Sequence, residues 1–254
     1  MRNKFIGAVT CTAIAGLGGV ITCAETASAA TSAIEDGAAS RSNGTADDEA
    51  QRLAHGANGA YKRGEYTLAV AGYSRLLKLK PYDARVFFNR GLARFKLKEM
   101  QEAYDDFSEA LRIVPEFHLA LVNRAKLSII RQHYRKALDD IDRALALRPT
   151  DSAIFYHRGV ANQGLGDSAK ALADFTKAIQ FSPAFAPAFS ERGHAFLALR
   201  KEAEAARDFN VALRLDPENV RAQLGLEQLT TVILSRPPPS SRSSSEKEKN
   251  NDGR

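Results

Sequence analysis

Apolar residues and prolines recur along this chain at a fixed interval of 34 residues. The plainest marker is proline, which occurs as Pro81, Pro115, Pro149, Pro183 and Pro217. A constant period of this length indicates structural units that repeat and stack on one another. With proline placed at position 32, the five units span 50–83, 84–117, 118–151, 152–185 and 186–219.

Each unit has an apolar pattern that predicts two helices. Positions 8 and 20 are small in all five units, whereas positions 4 and 24 are large and apolar. Positions 20, 24, 27 and 28 share one face of a helix, and the proline ends that helix because it lacks an N–H group. We therefore expect antiparallel helices that approach closely at the small residues, with the large residues filling the space around them.

The residues on either side of the units predict how the stack begins and ends. Apolar residues spaced along 220–234 predict a helix that covers the open end of the fifth unit. Thr45 and Asp48 have the spacing of a capping box ahead of the first unit. The pattern therefore predicts a helical domain over 47–235.

This pattern resembles the tetratricopeptide repeat. That family has an aromatic residue at position 4, glycine at 8, alanine at 20, an aromatic residue at 24, alanine at 27 and proline at 32, and the segment from Phe87 to Pro115 matches it best. The resemblance covers 50–219. It implies an all-α fold, a right-handed superhelical solenoid of five helix hairpins with a C-terminal capping helix over 220–234. It also implies a protein–protein interaction scaffold that is not an enzyme.

The N-terminus has the features of a secretory signal peptide over 1–29. Arg2 and Lys4 precede an uncharged apolar run, and an Ala-Ser-Ala sequence that ends at Ala29 has the form of a cleavage site. Two alternatives remain open. The chain could be lipidated at Cys23, or the apolar run could stay as an anchor, since about 20 apolar residues just span a bilayer.

The remaining segments complete the predicted domain organisation. Residues 30–46 are small and polar, which predicts a flexible linker, and prolines, serines and mixed charges predict a disordered tail over 236–254. The predicted signal peptide places the protein in the periplasm or cell envelope. Contact with a membrane is expected only if the N-terminus is lipidated or uncleaved.

Composition and charge limit the kinds of partner, metal site and reaction that this protein could have. The 36 basic and 30 acidic residues give a net charge of +6, too small an excess to indicate a nucleic-acid partner. Both cysteines precede residue 24 and no two of the five histidines are four residues apart, so no metal site is expected. Nothing supplies a nucleophile, a base and an oxyanion donor together. We expect no catalytic residue, no cofactor and no small-molecule substrate, and a protein or peptide as partner.

Units two to five share an arginine at position 7 and an aspartate at position 23, and the first unit lacks both. Joint loss is the behaviour expected of a salt bridge within each unit. An arginine row that binds anions is the alternative. The predicted structural pairs are Arg90 with Asp106, Arg124 with Asp140, Arg158 with Asp174, and Arg192 with Asp208.

The resemblance also implies a binding surface. In tetratricopeptide superhelices the first helix of each pair lines a concave groove, chiefly through positions 2, 5, 6, 9, 12 and 13. The implied peptide-binding residues are Phe88, Asn89, Leu92, Phe95, Asn123, Lys126, Tyr156 and His157. Alternatively, these side chains pack between neighbouring first helices. The cations with which co-chaperone repeats grip a terminal carboxylate are missing, because Ala54 and Leu119 occupy two of their positions.

These expectations combine into a function class. The chain resembles exported bacterial adaptors that assemble envelope machinery, and we expect it to bind a peptide segment of a partner protein in the groove. The alternative is an intracellular adaptor or co-chaperone whose N-terminus is a targeting peptide.

Overall fold

The computed structural model describes residues 46–235, which form eleven α-helices and no strand within that range. The predicted signal peptide with Cys23, the linker up to residue 45, Thr45 of the capping box, and the tail from 236 onward lie outside the described residues. Among the described residues, 46–52 belong to one compact unit and 53–235 to a second. Residues 46–52 are helical, and the second unit contains the rest of that helix and the ten that follow.

The helices follow the 34-residue period. Helix α1 covers 46–62. The others are α2 (Tyr66–Leu79), α3 (Ala84–Lys96), α4 (Met100–Ile113), α5 (His118–Ile130), α6 (Tyr134–Leu147), α7 (Ser152–Gly164), α8 (Ser168–Phe181), α9 (Ala186–Ala198), α10 (Glu202–Leu215) and α11 (Val220–Leu234). Odd-numbered helices up to α9 are the first helices of the units, even-numbered helices are the second, and α11 is the capping helix. The structure confirms the predicted all-α fold of five hairpins and a capping helix.

Local signals explain where the helices begin. The Asp83 carboxylate accepts hydrogen bonds from the backbone N–H groups of Arg85 and Val86 at the start of α3. Asp151 does the same for α7, and the Asn219 side chain accepts from Ala222 N at the start of α11. Each of these side chains satisfies donors that have no partner within the helix.

The turn inside every hairpin uses one backbone conformation at position 15. Gly64 and Gly166 have φ values of 80° and 82° there, in the left-handed region. Lys98, Gln132 and Arg200 take the same conformation at φ values of 66°, 60° and 58°. The turn therefore forms in all five units, although only two of them supply glycine, the residue for which this conformation is least strained.

The core lies between the two helices of each hairpin and between neighbouring hairpins. Its centre is the alanine at position 20 and the large residue at 24, and both are buried in every unit. Phe175 packs directly over Gly159 at position 8, where an added Cβ would lie 2.5 Å from the ring. The sequence led us to expect large residues around the small ones. The structure instead places the position 24 ring on the glycine itself, because only a missing side chain leaves room for it.

Candidate functional site

The four predicted arginine–aspartate pairs all form. Each aspartate is buried on the second helix, and its arginine comes from the first helix of the same unit. The shortest nitrogen–oxygen distance is 2.7 Å in each of the pairs Arg90–Asp106, Arg124–Asp140, Arg158–Asp174 and Arg192–Asp208. The hydrogen bonds that Arg124 donates to Asp140 raise the pKa of Arg124, and those that Arg158 donates to Asp174 raise the pKa of Arg158.

The same arginines also reach the preceding unit. Arg90 Nη1 donates to Ser74 Oγ at 3.1 Å, and Arg124 Nη1 donates to Ser108 Oγ at 3.2 Å. The equivalent acceptors for Arg158 and Arg192 are Asp142 Oδ1 and Thr176 Oγ1. Since these guanidinium groups already bond two second helices, they favour a structural role over anion binding.

The structure buries Phe88, which the sequence placed on the surface of the groove. The Phe88 side chain is 8% exposed, and its ring packs against Phe107 and Phe117 with centroids 5.7 and 4.9 Å apart. Phe88 is therefore packed, as in the alternative in which these side chains fill space between neighbouring helices. The ring fills space between α3, α4 and the turn before α5, a packing role that position 5 also allows.

Tyr156 is also packed inward for the most part. Its ring centroid lies 6.0 Å from that of Phe175 and 5.2 Å from that of Phe185. Burial raises the pKa of Tyr156 to about 12. Much of its aromatic surface therefore packs against the second helix α8 and the residue that precedes α9.

Lys126, His157 and Phe95 fill the middle of the row of first helices. Lys126 Nζ lies 5.9 Å from the Phe95 ring centroid, a cation–π distance. Burial, and then the charge of Lys126, lower the pKa of His157 to about 4, so its imidazole is neutral at pH 7. Asn123 Nδ2 donates to Leu119 O of its own helix at 2.8 Å.

Asn89 and Leu92 border a small open space at the N-terminal end of the row. This cavity of about 170 Å³ is also lined by Asn58, Tyr61 and Tyr73. Tyr73 Oη donates to Asn58 Oδ1 at 2.7 Å. Two of the predicted groove residues therefore do face a cavity, with amide and aromatic neighbours.

A larger cavity lies at the other end, between α7, α9 and α11. Its volume is about 510 Å³, and most of its lining comes from these first helices: Gln163, His194, Leu197, Ala198, Arg221, Gln228 and Val232, with Arg200, Glu202 and Ser235 at its edge. We call it the C-terminal cavity. None of its residues was among the eight implied peptide-binding residues, although Gln163, His194, Leu197 and Ala198 occupy positions 9, 12 or 13 of their units. Extending the 34-residue register past Pro217 would have placed Gln228 at position 9 and Val232 at position 13.

Several polar groups of the C-terminal cavity bond to other groups of the protein. His194 Nε2 donates to Arg221 O at 3.1 Å, and burial lowers the pKa of His194. Arg221 binds Glu191 through two contacts, of 3.0 and 3.1 Å. By contrast, Gln163 Oε1 is buried and has no hydrogen-bond partner among the described residues.

Two other kinds of feature are absent from residues 46–235. No group of three or more histidine, cysteine, aspartate or glutamate side chains in this range could hold a metal ion. None of its helices is both long and apolar enough to cross a membrane.

Comparison with known proteins supports the repeat assignment. Residues 58–98 match a model of the TPR repeat, and 84–117 and 131–185 match models of the tetratricopeptide repeat. No curated protein sequence matches the chain significantly.

Solved structures share the fold at low sequence identity. MamA (residues 41 to the end) from Desulfovibrio magneticus RS-1 is 20% identical, with a TM-score of 0.64 over 68% of this chain and 98% of that one. PilF of Pseudomonas aeruginosa is 18% identical, with a TM-score of 0.64 over 74% of this chain and 86% of that one.

YrrB, described as a TPR protein with an unusual peptide-binding site, is 22% identical, with a TM-score of 0.59 over 67% of this chain and 88% of that one. The matched repeats and the stacked hairpins show that 58–117 and 131–185 contain tetratricopeptide repeats, a type of repeat from which protein-interaction scaffolds are built.

Proposed function

We propose that this protein is exported and binds a peptide segment of a partner protein along its row of first helices. The observation that carries the proposal is the C-terminal cavity of about 510 Å³ between α7, α9 and α11. Cavities of about 300–1,000 Å³ that combine apolar and polar side chains are typical of ligand sites. YrrB, which has the same fold, is described as having a peptide-binding site.

The middle of the row of first helices supports the proposed peptide binding less than the two ends do. Phe88 and Tyr156 are committed to packing, and Lys126 covers Phe95. Open space remains beside Asn89 and Leu92 and in the C-terminal cavity. We therefore expect a bound segment to contact the two ends of the row more than its centre.

Export rests on the N-terminal sequence. Two basic residues, an uncharged apolar run and an Ala-Ser-Ala site precede the repeats. Such a segment directs a protein across the inner membrane, and the periplasm or cell envelope is the compartment that we propose.

Site-specific photo-cross-linking in the native host tests both parts. A photoreactive phenylalanine analogue replaces Ala198, an exposed residue of the C-terminal cavity, or Ala146, an exposed residue on the second helix α6. We expect partner adducts from position 198 and few from position 146. Mass spectrometry of the adduct should show a mature N-terminus at or near residue 30.

The outcomes separate the two claims. Adducts that form only from position 146 would move the binding surface away from the first helices. A chain that still begins at Met1 in the cytosolic fraction would contradict export and leave the binding surface in place.

A further inference from the structure

A further cavity lies between the second helices α6 and α8. Its volume is about 440 Å³, and we call it the α6–α8 cavity. Leu138 and Asp142 of α6 line one side, and Lys170, Ala173 and Lys177 of α8 line the other. None of the residues assigned above to peptide binding lines this cavity, so it is a separate surface.

The α6–α8 cavity is open because neither of two facing positions has an aromatic or arginine side chain. These are position 21 of one unit and position 11 of the next, here Leu138 and Asn162. Every other boundary between the five units has one larger side chain at these positions: Arg94, Tyr104 or Phe196. The centroid of each of those two rings lies 5.8 Å from Cζ of an arginine at position 7. The space that a long side chain occupies elsewhere therefore remains free here.

The two helices beside the cavity carry an excess of basic residues. Positions 19 and 26 are seven residues apart and so share one face of a helix. They are Glu102 and Glu109 in α4 but basic in α6 and α8, as Lys136, Arg143, Lys170 and Lys177. With the buried aspartates set against their arginine partners, α6 and α8 have five basic and two acidic residues, and α4 has one basic and three acidic. This surface therefore suits an acidic partner.

Two of these cations are available to a ligand. Lys177 is exposed and has no carboxylate partner within residues 46–235, and its Nζ lies 5.3 Å from the Phe155 ring centroid. The Lys170 side chain is 73% exposed and pairs with Asp167 at 2.8 Å. A pair so exposed to water contributes little and can exchange its carboxylate for another. Deeper in the cavity, the charge of Asp174 is compensated by Arg158.

From these observations we propose that the α6–α8 cavity binds an acidic segment of a partner protein. Carboxylates of the segment pair with Lys170 and Lys177, and an apolar side chain packs against Leu138 and Ala173. The inference does not rest on peptide binding along the first helices, and it gives the protein a second surface for a partner. Exposed ion pairs are screened by salt, so this binding is salt-dependent.

Fluorescence anisotropy on the purified protein tests the chemistry of the ligand. The probe is a labelled nonapeptide of eight glutamates around a central leucine. We expect it to bind with a Kd that rises at least about tenfold between 0.05 and 0.5 M NaCl. The same peptide with lysines in place of the glutamates should not bind. A Kd that salt leaves unchanged, or binding of the lysine peptide, would contradict the inference.

Two charge reversals locate the contact. Lys170→Glu and Lys177→Glu introduce the residue that α4 already has at positions 19 and 26, so the fold should be retained, which thermal melting checks. Each should weaken binding of the acidic peptide at least about tenfold, through loss of a charged hydrogen bond. Arg75→Glu, at the exposed position 26 of the first unit, is the matched control and should leave the Kd nearly unchanged.

A third substitution should strengthen binding. The Asp142 side chain is 63% exposed and accepts a hydrogen bond from Arg158 Nη1 at 3.2 Å. The second unit has Ser108 at the same position, and it accepts the equivalent bond. Asp142→Ser should therefore keep this bond, remove a like charge from the cavity and lower the Kd about threefold or more. Glu116→Ser makes the same change in net charge at an exposed turn and is the control.

The remaining outcomes would overturn the inference. If Arg75→Glu weakens binding as much as Lys177→Glu, the acidic peptide responds to net charge and not to the cavity. A labelled oligothymidylate of eight nucleotides that binds more tightly than the acidic peptide, and loses affinity in Lys170→Glu and Lys177→Glu, would assign the cavity to nucleic acid. Neither result affects binding along the first helices, which the cross-linking at position 198 tests separately.

Discussion

At the scale of single residues, His157 gives the protein a pH dependence. Its pKa is lowered from the ordinary 6.5 to about 4, first by burial and then by the charge of Lys126, whereas Asp151 acts in the opposite direction. Between these two values the unfolded chain binds a proton that the folded chain does not. The stability contributed by neutral His157 is therefore complete above pH 6.5 and is lost as the pH falls toward 4.

We expect the free energy of unfolding to fall by about 2 kcal/mol from this residue between pH 7.5 and pH 5. Urea denaturation at the two pH values measures the fall, and His157→Gln should remove most of this part of it. His133→Gln replaces an exposed histidine and serves as control. An unchanged pH dependence in His157→Gln would show that the imidazole is not buried as the structure indicates.

Residue patterns in the sequence predicted ion pairs better than they predicted exposure. Arginine at position 7 and aspartate at position 23 are both present in units two to five and both absent from unit one. Such joint presence and absence indicates a contact. Phe88 gave no comparable signal, because an aromatic residue at position 5 can face a groove or a neighbouring hairpin. The left-handed conformation of Lys98, Gln132 and Arg200 could not be predicted from the sequence either, since none of these residues is glycine.

At the scale of helix pairs, glycine and an aromatic ring determine how closely two helices pack. An added Cβ on Gly159 would lie 2.5, 2.7 and 2.9 Å from three carbons of the buried Phe175 ring. The third unit has Ala125 and Ile141 at the equivalent positions, so the smaller side chain across the contact accommodates a Cβ. In the third unit the two positions thus change together, whereas the first unit pairs Ala57 with Tyr73.

Gly159→Ala should destabilise the protein by about 1–3 kcal/mol, the usual effect of overpacking. Combined with Phe175→Ile, it should cost less than the sum of the two single changes. Urea denaturation of the four proteins measures this coupling. Gly56→Ala is the control, because an added Cβ there meets nothing within 4 Å, and we expect a gain of about 0.5–1 kcal/mol. Strict additivity would contradict the predicted ring contact.

At the scale of the whole stack, the sequence predicted the hairpins and the capping helix but not where open space remains. The period fixes which residues belong to the first helices. Whether a cavity lies between two of them depends on how far each side chain extends, as Lys126 does over Phe95. The C-terminal cavity further depends on α11, which supplies one wall through Arg221, Gln228 and Val232.

Contacts between neighbouring units carry the stability of such a stack. Arg192 links Asp208 in its own unit to Thr176 in the unit before. At the C-terminal end, the Phe209 ring is fully buried, and an added Cβ on either Gly193 or Gly225 would meet it. The burial of this ring therefore depends on α11 as well as on α9. In a repeat protein, removing one unit destabilises mainly the unit next to it.

A chain that ends at Asn219 tests this nearest-neighbour behaviour. It lacks α11 and so exposes Phe209 and loses the burial of Leu229. We expect the free energy of opening in α9 and α10 to fall by about 2 kcal/mol, roughly thirtyfold in amide hydrogen exchange, while α3 to α6 keep their protection. A chain that ends at Ser235 retains α11 and is the control. A uniform loss of protection along the whole stack would instead show that it unfolds as one cooperative unit, whose stability does not divide into contributions from neighbouring hairpins.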